Sequence, residues 1–174
     1  MMIWLIGCVM PLRFDVEGTT AVMNGDLTSK APQQVSKLLT GHSDLEWIEM
    51  ANCPGSTDDV AALEAARMIR QAGINTRVQS DGEIASGAVD FFIAGVLREV
   101  EDGGQVGVHS WSGFNIEGSE VPKDDPEHDL YEEYYAEMDI SEEFYWFTLE
   151  AAASDDIHWM TRGELEQYNL IKLE

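Results

Sequence analysis

Between Glu46 and Ser110, short apolar runs alternate with helix-like segments, and this alternation constrains the fold more than any other feature of the chain. Glu46 to Ala51 is a short apolar strand feeding a turn, Asn52-Cys53-Pro54-Gly55-Ser56. Asp58 to Ala72 then has helical periodicity. Val60, Leu63, Ala66, Met68 and Ile69 form its apolar face, Asp58 and Asp59 suit its positive N-terminal end, and Gly73 stops it. Ile74 to Gln79 reads as the next strand, Ser80-Asp81-Gly82-Glu83 as a loop, Ala88 to Ala94 as an apolar helix, and Gln105 to Ser110 as a further strand. Strands joined by helical crossovers make an α/β domain with a mostly parallel sheet flanked by helices.

The flanks add elements of both kinds. Arg13 to Met23 reads as extended structure broken at Gly18, Asn24-Gly25-Asp26 as a turn, and Ala31 to Leu39 as a helix. From Trp111 to Asp129 the composition becomes loop-like, rich in Gly, Pro and acidic residues, as in a segment inserted over a site. Leu130 to Met138 and Glu142 to Ala153 read as aromatic-rich helices. Thr161 to Tyr168 reads as a last short helix, with Thr161 and Glu164 spaced as a capping box. There is no internal repeat.

A chain of 174 residues with 44% hydrophobic content suits one domain. Its 10 basic and 33 acidic residues give a formal charge of -23, which repels nucleic acid and anionic lipid and reads as a solvated surface. Two cysteines, Cys8 and Cys53, do not make a disulfide framework. Met1 to Met10 is apolar and contains Leu5-Ile6-Gly7-Cys8, the pattern of a bacterial lipoprotein cleavage site, although no positive charge precedes it. Residues 1–13 are therefore either a signal or lipoprotein segment or a first strand, with one domain over 14–174. A lipid anchor at Cys8 implies an envelope or periplasmic location, a first strand a cytoplasmic one. No other segment is long and apolar enough to span a bilayer.

Two residues carry the chemistry. Ser86 lies in Ile84-Ala85-Ser86-Gly87-Ala88, among side chains too small to crowd its hydroxyl, at the head of a helix whose N-terminus favours developing negative charge. A serine there can also simply cap the helix. His109, in Val106-Gly107-Val108-His109-Ser110, is the histidine that falls in an apolar strand, whereas His42, His128 and His158 fall in acidic or loop-like stretches. An imidazole is what a serine hydroxyl needs to become nucleophilic. No dedicated metal-ligand spacing, phosphate-cradling loop or dinucleotide fingerprint is present, so no cofactor is expected.

The order strand, Pro-Gly turn, helix, strand, Ala-Ser-Gly-Ala, helix, strand with His resembles the Clp protease proteolytic subunit and its relatives, over roughly Phe14 to Leu173. The wider group, the ClpP/crotonase fold, is a spiral of ββα units and includes signal peptide peptidase A and secreted or periplasmic ClpP-like proteins of bacteria. The resemblance implies that Ser86 is the nucleophile, His109 the base, and the N–H groups of Ser56 and Gly87 the oxyanion hole. Ser56 stands where the family's Ser-Pro-Gly-Gly turn has its second glycine. The third member is implied just before Trp159-Met160-Thr161. Asp156 fits with a one-residue insertion, Asp155 is the fallback, and strict counting reaches Ile157. A lysine base has no matching place among Lys30, Lys37, Lys123 and Lys172.

The resemblance thus implies a serine hydrolase acting on peptide or protein substrates. The alternatives are a non-catalytic scaffold of the same fold and, third, a crotonase-like acyl-CoA enzyme, which the scarcity of basic residues disfavours. The family's rings and trimers imply a homo-oligomer, for which the aromatic run Tyr131 to Phe147 is either a surface or part of the core.

Overall fold

Gly18, at φ 60°, turns the chain back on itself, so that β1 (Arg13–Glu17) and β2 (Thr20–Asn24) pair antiparallel. The computed structural model describes residues 9–113 and 116–173. Cys8 and nearly all of Met1 to Met10 lie outside the described residues. Immediately after them, Met10 donates its N–H to Asp26 at 2.6 Å, Pro11 bridges to Asp26, and Leu12 is buried in the core.

Helix α1 (Ala31–Gly41) carries a proline in its first turn, where its missing N–H costs nothing. β3 (Trp47–Cys53) then runs parallel to β2. In α2 (Asp59–Gln71) the Asp58 carboxylate caps the Ala61 N–H at 3.0 Å, and Gly73, at φ 74°, ends the helix as expected.

β4 (Asn75–Ala85) departs from the expected loop at Ser80-Asp81-Gly82-Glu83, because the strand continues through it. Two partners hold it extended: Thr76–Val78 pair with β5 (Arg98–Val100), and Glu83–Ala85 pair with β6 (Gln105–Val108). The turn-like residues mark an irregularity within the strand. Pairing with β3 shifts register between Met50 and Asn52, and a Cβ on Gly82 would sit 2.7 Å from the Met50 carbonyl oxygen. Between β4 and β5 lies α3 (Gly87–Ile93).

The region expected as loop holds a short hairpin, β7 (Ser112–Gly113) and β8 (Ile116–Glu117), and two 3-10 turns. Helices α4 (Asp129–Glu137) and α5 (Glu142–Ala151), strand β9 (His158–Trp159) and helix α6 (Arg162–Gln167) complete the chain. Thr161 and Glu164 make the expected capping box. The main sheet runs β1-β2-β3-β4-β6-β9 with β5 beside β4, and from β2 to β6 it is parallel. Helices flank it, in agreement with the α/β class.

Tyr134, Tyr135, Phe144 and Tyr145 of the aromatic run are buried, so this part of the run is core. Arg98 is also fully buried. Its guanidinium donates to the carbonyls of Leu170 (2.9 Å), Asn169 (2.8 Å) and Gly95 (3.1 Å), tying the C-terminal segment to the end of α3. Burial lowers its pKa to about 10, so it remains charged at neutral pH. Among the described residues no helix is long and apolar enough to cross a membrane.

Candidate active site

Ser86 sits at the junction of β4 and α3, with φ 55° and ψ -134°, a conformation that side-chain-bearing residues rarely adopt. Such strain costs about 1–3 kcal/mol and persists only where the surroundings over-determine it. Here the Ser86 N–H donates to Gly107 O at 3.1 Å, and the Ser86 carbonyl accepts from Val89 N at 2.8 Å. The sharp strand-to-helix turn presents the hydroxyl at the end of the sheet, as in a nucleophile elbow. Its Oγ makes no hydrogen bond among the described residues and caps no helix N–H, so the simple capping role does not apply.

The Cys53-Pro54-Gly55-Ser56 turn lies directly against this serine. A Cβ on Gly55 would be 3.1 Å from the Ser86 Cβ, and one on Gly87 would be 3.3 Å from the Ser56 backbone nitrogen. The two expected oxyanion donors, Ser56 N–H and Gly87 N–H, are thus neighbours, and neither has a protein acceptor among the described residues. The serine in place of the family's glycine directs its hydroxyl to Asp59, at the start of α2, and leaves its N–H uncommitted. Cys53 is buried and free, and burial, reinforced by the charge of Asp26, pushes its thiol up to about 12. It is therefore no competing nucleophile.

His109 follows the last residue of β6 rather than lying within the strand, and it shares one cavity with Ser86. Parallel pairing of Ala85 with Gly107 places the two strand ends side by side. His109 Nδ1 lies 2.7 Å from the Ser110 carbonyl oxygen. A carbonyl only accepts, so Nδ1 carries the proton and, in the neutral ring, Nε2 keeps its lone pair.

The acids are arranged differently from the expectation. Asp156 is exposed, with Oδ1 accepting from the Ile157 N–H at 2.8 Å, and it makes no hydrogen bond to His109 among the described residues. Asp155 is also exposed. Ile157 packs against the sheet, its Cγ2 2.7 Å from where a Gly107 Cβ would be. Glu117, on β8, is a carboxylate whose pKa the His109 charge helps to lower. It accepts from the Ser154 N–H (3.0 Å) and hydroxyl (2.5 Å), and those bonds, then the Ser110 hydroxyl and the His109 charge, hold its pKa below the usual carboxylate range.

The remaining walls were not among the expected site residues. The cavity, about 50 Å³, is lined by Asp90 of α3, Tyr131 and Tyr135 of α4, Tyr145 of α5, Trp111 and Asp59. Tyr131 donates to Asp59 at 2.7 Å, Tyr135 donates to Asp90 Oδ1 at 2.7 Å, and Trp111 donates to the Tyr145 hydroxyl at 2.9 Å. His128, buried behind this wall, meets the same hydroxyl at 2.7 Å. Burial pushes the Asp90 carboxyl up to about 7; the charge of Asp59 adds to this and the Tyr135 bond opposes it. His158 is drawn away to Glu164 at 3.0 Å. Lys123 extends over the Trp146 ring at 4.7 Å and pairs with Glu150 at 3.9 Å.

Comparison with protein-family models finds no match, and none of the curated proteins is similar in sequence at a significant level. Among solved structures, the chain is similar to the 1510-N membrane-bound stomatin-specific protease in two mutant forms, a lysine-to-alanine form in complex with a substrate peptide and a serine-to-alanine form. The TM-scores are 0.59 and 0.60 at 17% identity; 88% of this chain is covered, and 73% and 77% of those chains. At this identity the likeness establishes the fold and no particular secreted member: the chain has a ClpP/crotonase-like α/β fold, the fold of these proteases.

Proposed function

We propose that the chain is a serine peptidase. Ser86 attacks the carbonyl carbon of the scissile bond, His109 Nε2 takes the hydroxyl proton and returns it to the leaving amine, and the N–H groups of Ser56 and Gly87 receive the oxyanion. Water then attacks the acyl-enzyme with the same assistance. Each oxyanion donor is commonly worth on the order of 3 kcal/mol of barrier. The observation that carries this reading is Ser86, its backbone strained and its hydroxyl unbonded among the described residues, sharing a cavity with His109 beside two N–H groups that have no protein acceptor among those residues. The Ser110 carbonyl fixes the ring tautomer, and Glu117 supplies the negative charge that an imidazolium needs nearby.

A fluorophosphonate probe tests the reading. Covalent labelling of the wild type that maps to Ser86 and disappears in a folded Ser86→Ala variant is the expected result. Absence of labelling of folded protein at pH 7–8 would leave the non-catalytic scaffold as the better account.

A further inference from the structure

The cavity beside Ser86 has a buried carboxylate that the reaction does not require. Asp90 lies four residues beyond Ser86 on α3, and only 9% of it is exposed. Its Oδ1 takes the Tyr135 hydroxyl, whereas Oδ2 has no donor among the described residues. No fully buried side-chain oxygen lacks a partner among those residues, so Oδ2 keeps a face open, and Asp90 lines the cavity. The walls leading to it are aromatic: Tyr131 and Tyr145 stack with centroids 5.4 Å apart and planes inclined by 13°. A cavity that combines aromatic walls with a carboxylate oxygen lacking a donor among the described residues suits an apolar stem with a cationic tip.

Size and charge narrow the choice. A cavity of about 50 Å³ admits about three or four water-sized groups. That accommodates the unbranched end of a lysine chain and is well below the ~150 Å³ of a cavity that takes a benzene ring. Tyrosine faces attract an ammonium group, and a surface of formal charge -23 concentrates cations near the mouth. Asp59, at the same mouth, has both oxygens occupied by the Ser56 and Tyr131 hydroxyls, which leaves Asp90 as the receiving group. A metal ion is disfavoured, because no third His, Cys or acidic ligand joins these two carboxylates among the described residues.

Building on the peptidase reading, we infer that this cavity is the side-chain pocket for the residue whose carbonyl Ser86 attacks, and that it selects lysine by pairing the ammonium group with Asp90.

Two peptidyl diphenyl phosphonates differing only in that residue, one with the aminobutyl side chain of lysine and one with the butyl chain of norleucine, test it beside a fluorophosphonate that has no such side chain. The expected result is labelling of Ser86 by the lysine probe at least tenfold faster than by its norleucine counterpart, with that ratio falling towards one in Asp90→Asn. Equal rates for the two phosphonates, with fluorophosphonate labelling intact, would overturn the lysine pocket and leave the hydrolase standing. If no probe labels Ser86, the hydrolase reading fails and the pocket is read by binding instead. N-acetyl-lysine methylamide must then shift the Tyr131, Tyr135 and Tyr145 ring resonances saturably in the wild type, and the norleucine amide must not. Absence of that difference overturns the inference.

Discussion

His109 Nδ1 and the Ser110 carbonyl oxygen, 2.7 Å apart, form a bond between sequence neighbours that settles the tautomer without a third side chain. In a Ser-His-Asp triad the carboxylate both orients the ring and balances its charge. In the mechanism proposed above the two duties are divided: a backbone carbonyl orients the ring, and Glu117, anchored by Ser154, balances its charge.

Fluorophosphonate labelling should distinguish the two acids. His109→Ala is expected to slow labelling of Ser86 by about 10²–10⁴-fold, the usual range for a general base. Glu117→Ala should slow it by roughly tenfold, since the tautomer survives but the charge balance is lost. Asp156→Ala should leave the rate within about twofold; a loss as large as that of His109→Ala would restore the aspartate to the site.

Gly87 has no room for a side chain. A Cβ there would fall 2.6 Å from the Ser56 Cβ, so Gly87→Ala must push the turn away from Ser86. Misplacement by about 1 Å can cost ~10²-fold in rate, and a labelling loss of that order is expected while circular dichroism stays native. Ser56→Ala removes only the hydroxyl bond to Asp59 and should slow labelling by less than about tenfold, because the N–H remains.

Asp90 should make stability fall as pH rises. Its folded pKa, about 7, lies above the unfolded value, so the folded state binds the proton more tightly. Stability from this group is full below the unfolded pKa near 4 and declines until pH passes about 7. Urea unfolding should therefore find Asp90→Asn more stable than the wild type by on the order of 2–4 kcal/mol at pH 8, with the gap closing towards pH 4. A gap independent of pH would assign the effect to packing.

Arg98→Met should lower stability by on the order of 3 kcal/mol, because buried carbonyls of Leu170, Asn169 and Gly95 lose a charged donor. For a chain of this size that is roughly 5–10 °C in Tm by scanning calorimetry. Arg98→Lys should not recover it, since an ammonium group cannot reproduce the planar fork.

The parts of the fold and site legible in the sequence are those whose signals are local. Helix α2 is readable because its cap, apolar face and stop glycine are contiguous, and the surroundings of Ser86 because small residues flank it on both sides. The extension of β4 through Ser80-Asp81-Gly82-Glu83 is not, because local turn chemistry there is overruled by pairing with β5 at one end and β6 at the other. Asp90 looks ordinary in sequence; the tyrosine it meets in the cavity wall comes 45 residues later. Glu117 carries no local mark among 33 acidic residues, and the role proposed for it rests on a contact with Ser154 that is 37 residues away in sequence.

Because the cavity draws Ser86 from the end of β4, His109 from just after β6 and its walls from α4 and α5, a nascent chain emerging from the ribosome has no complete cavity until Tyr145 is available to pack. The serine and histidine are synthesised before the helices that wall their cavity. A chain that stops before α4 therefore holds Ser86 and His109 without the aromatic wall that Tyr131, Tyr135 and Tyr145 give their cavity.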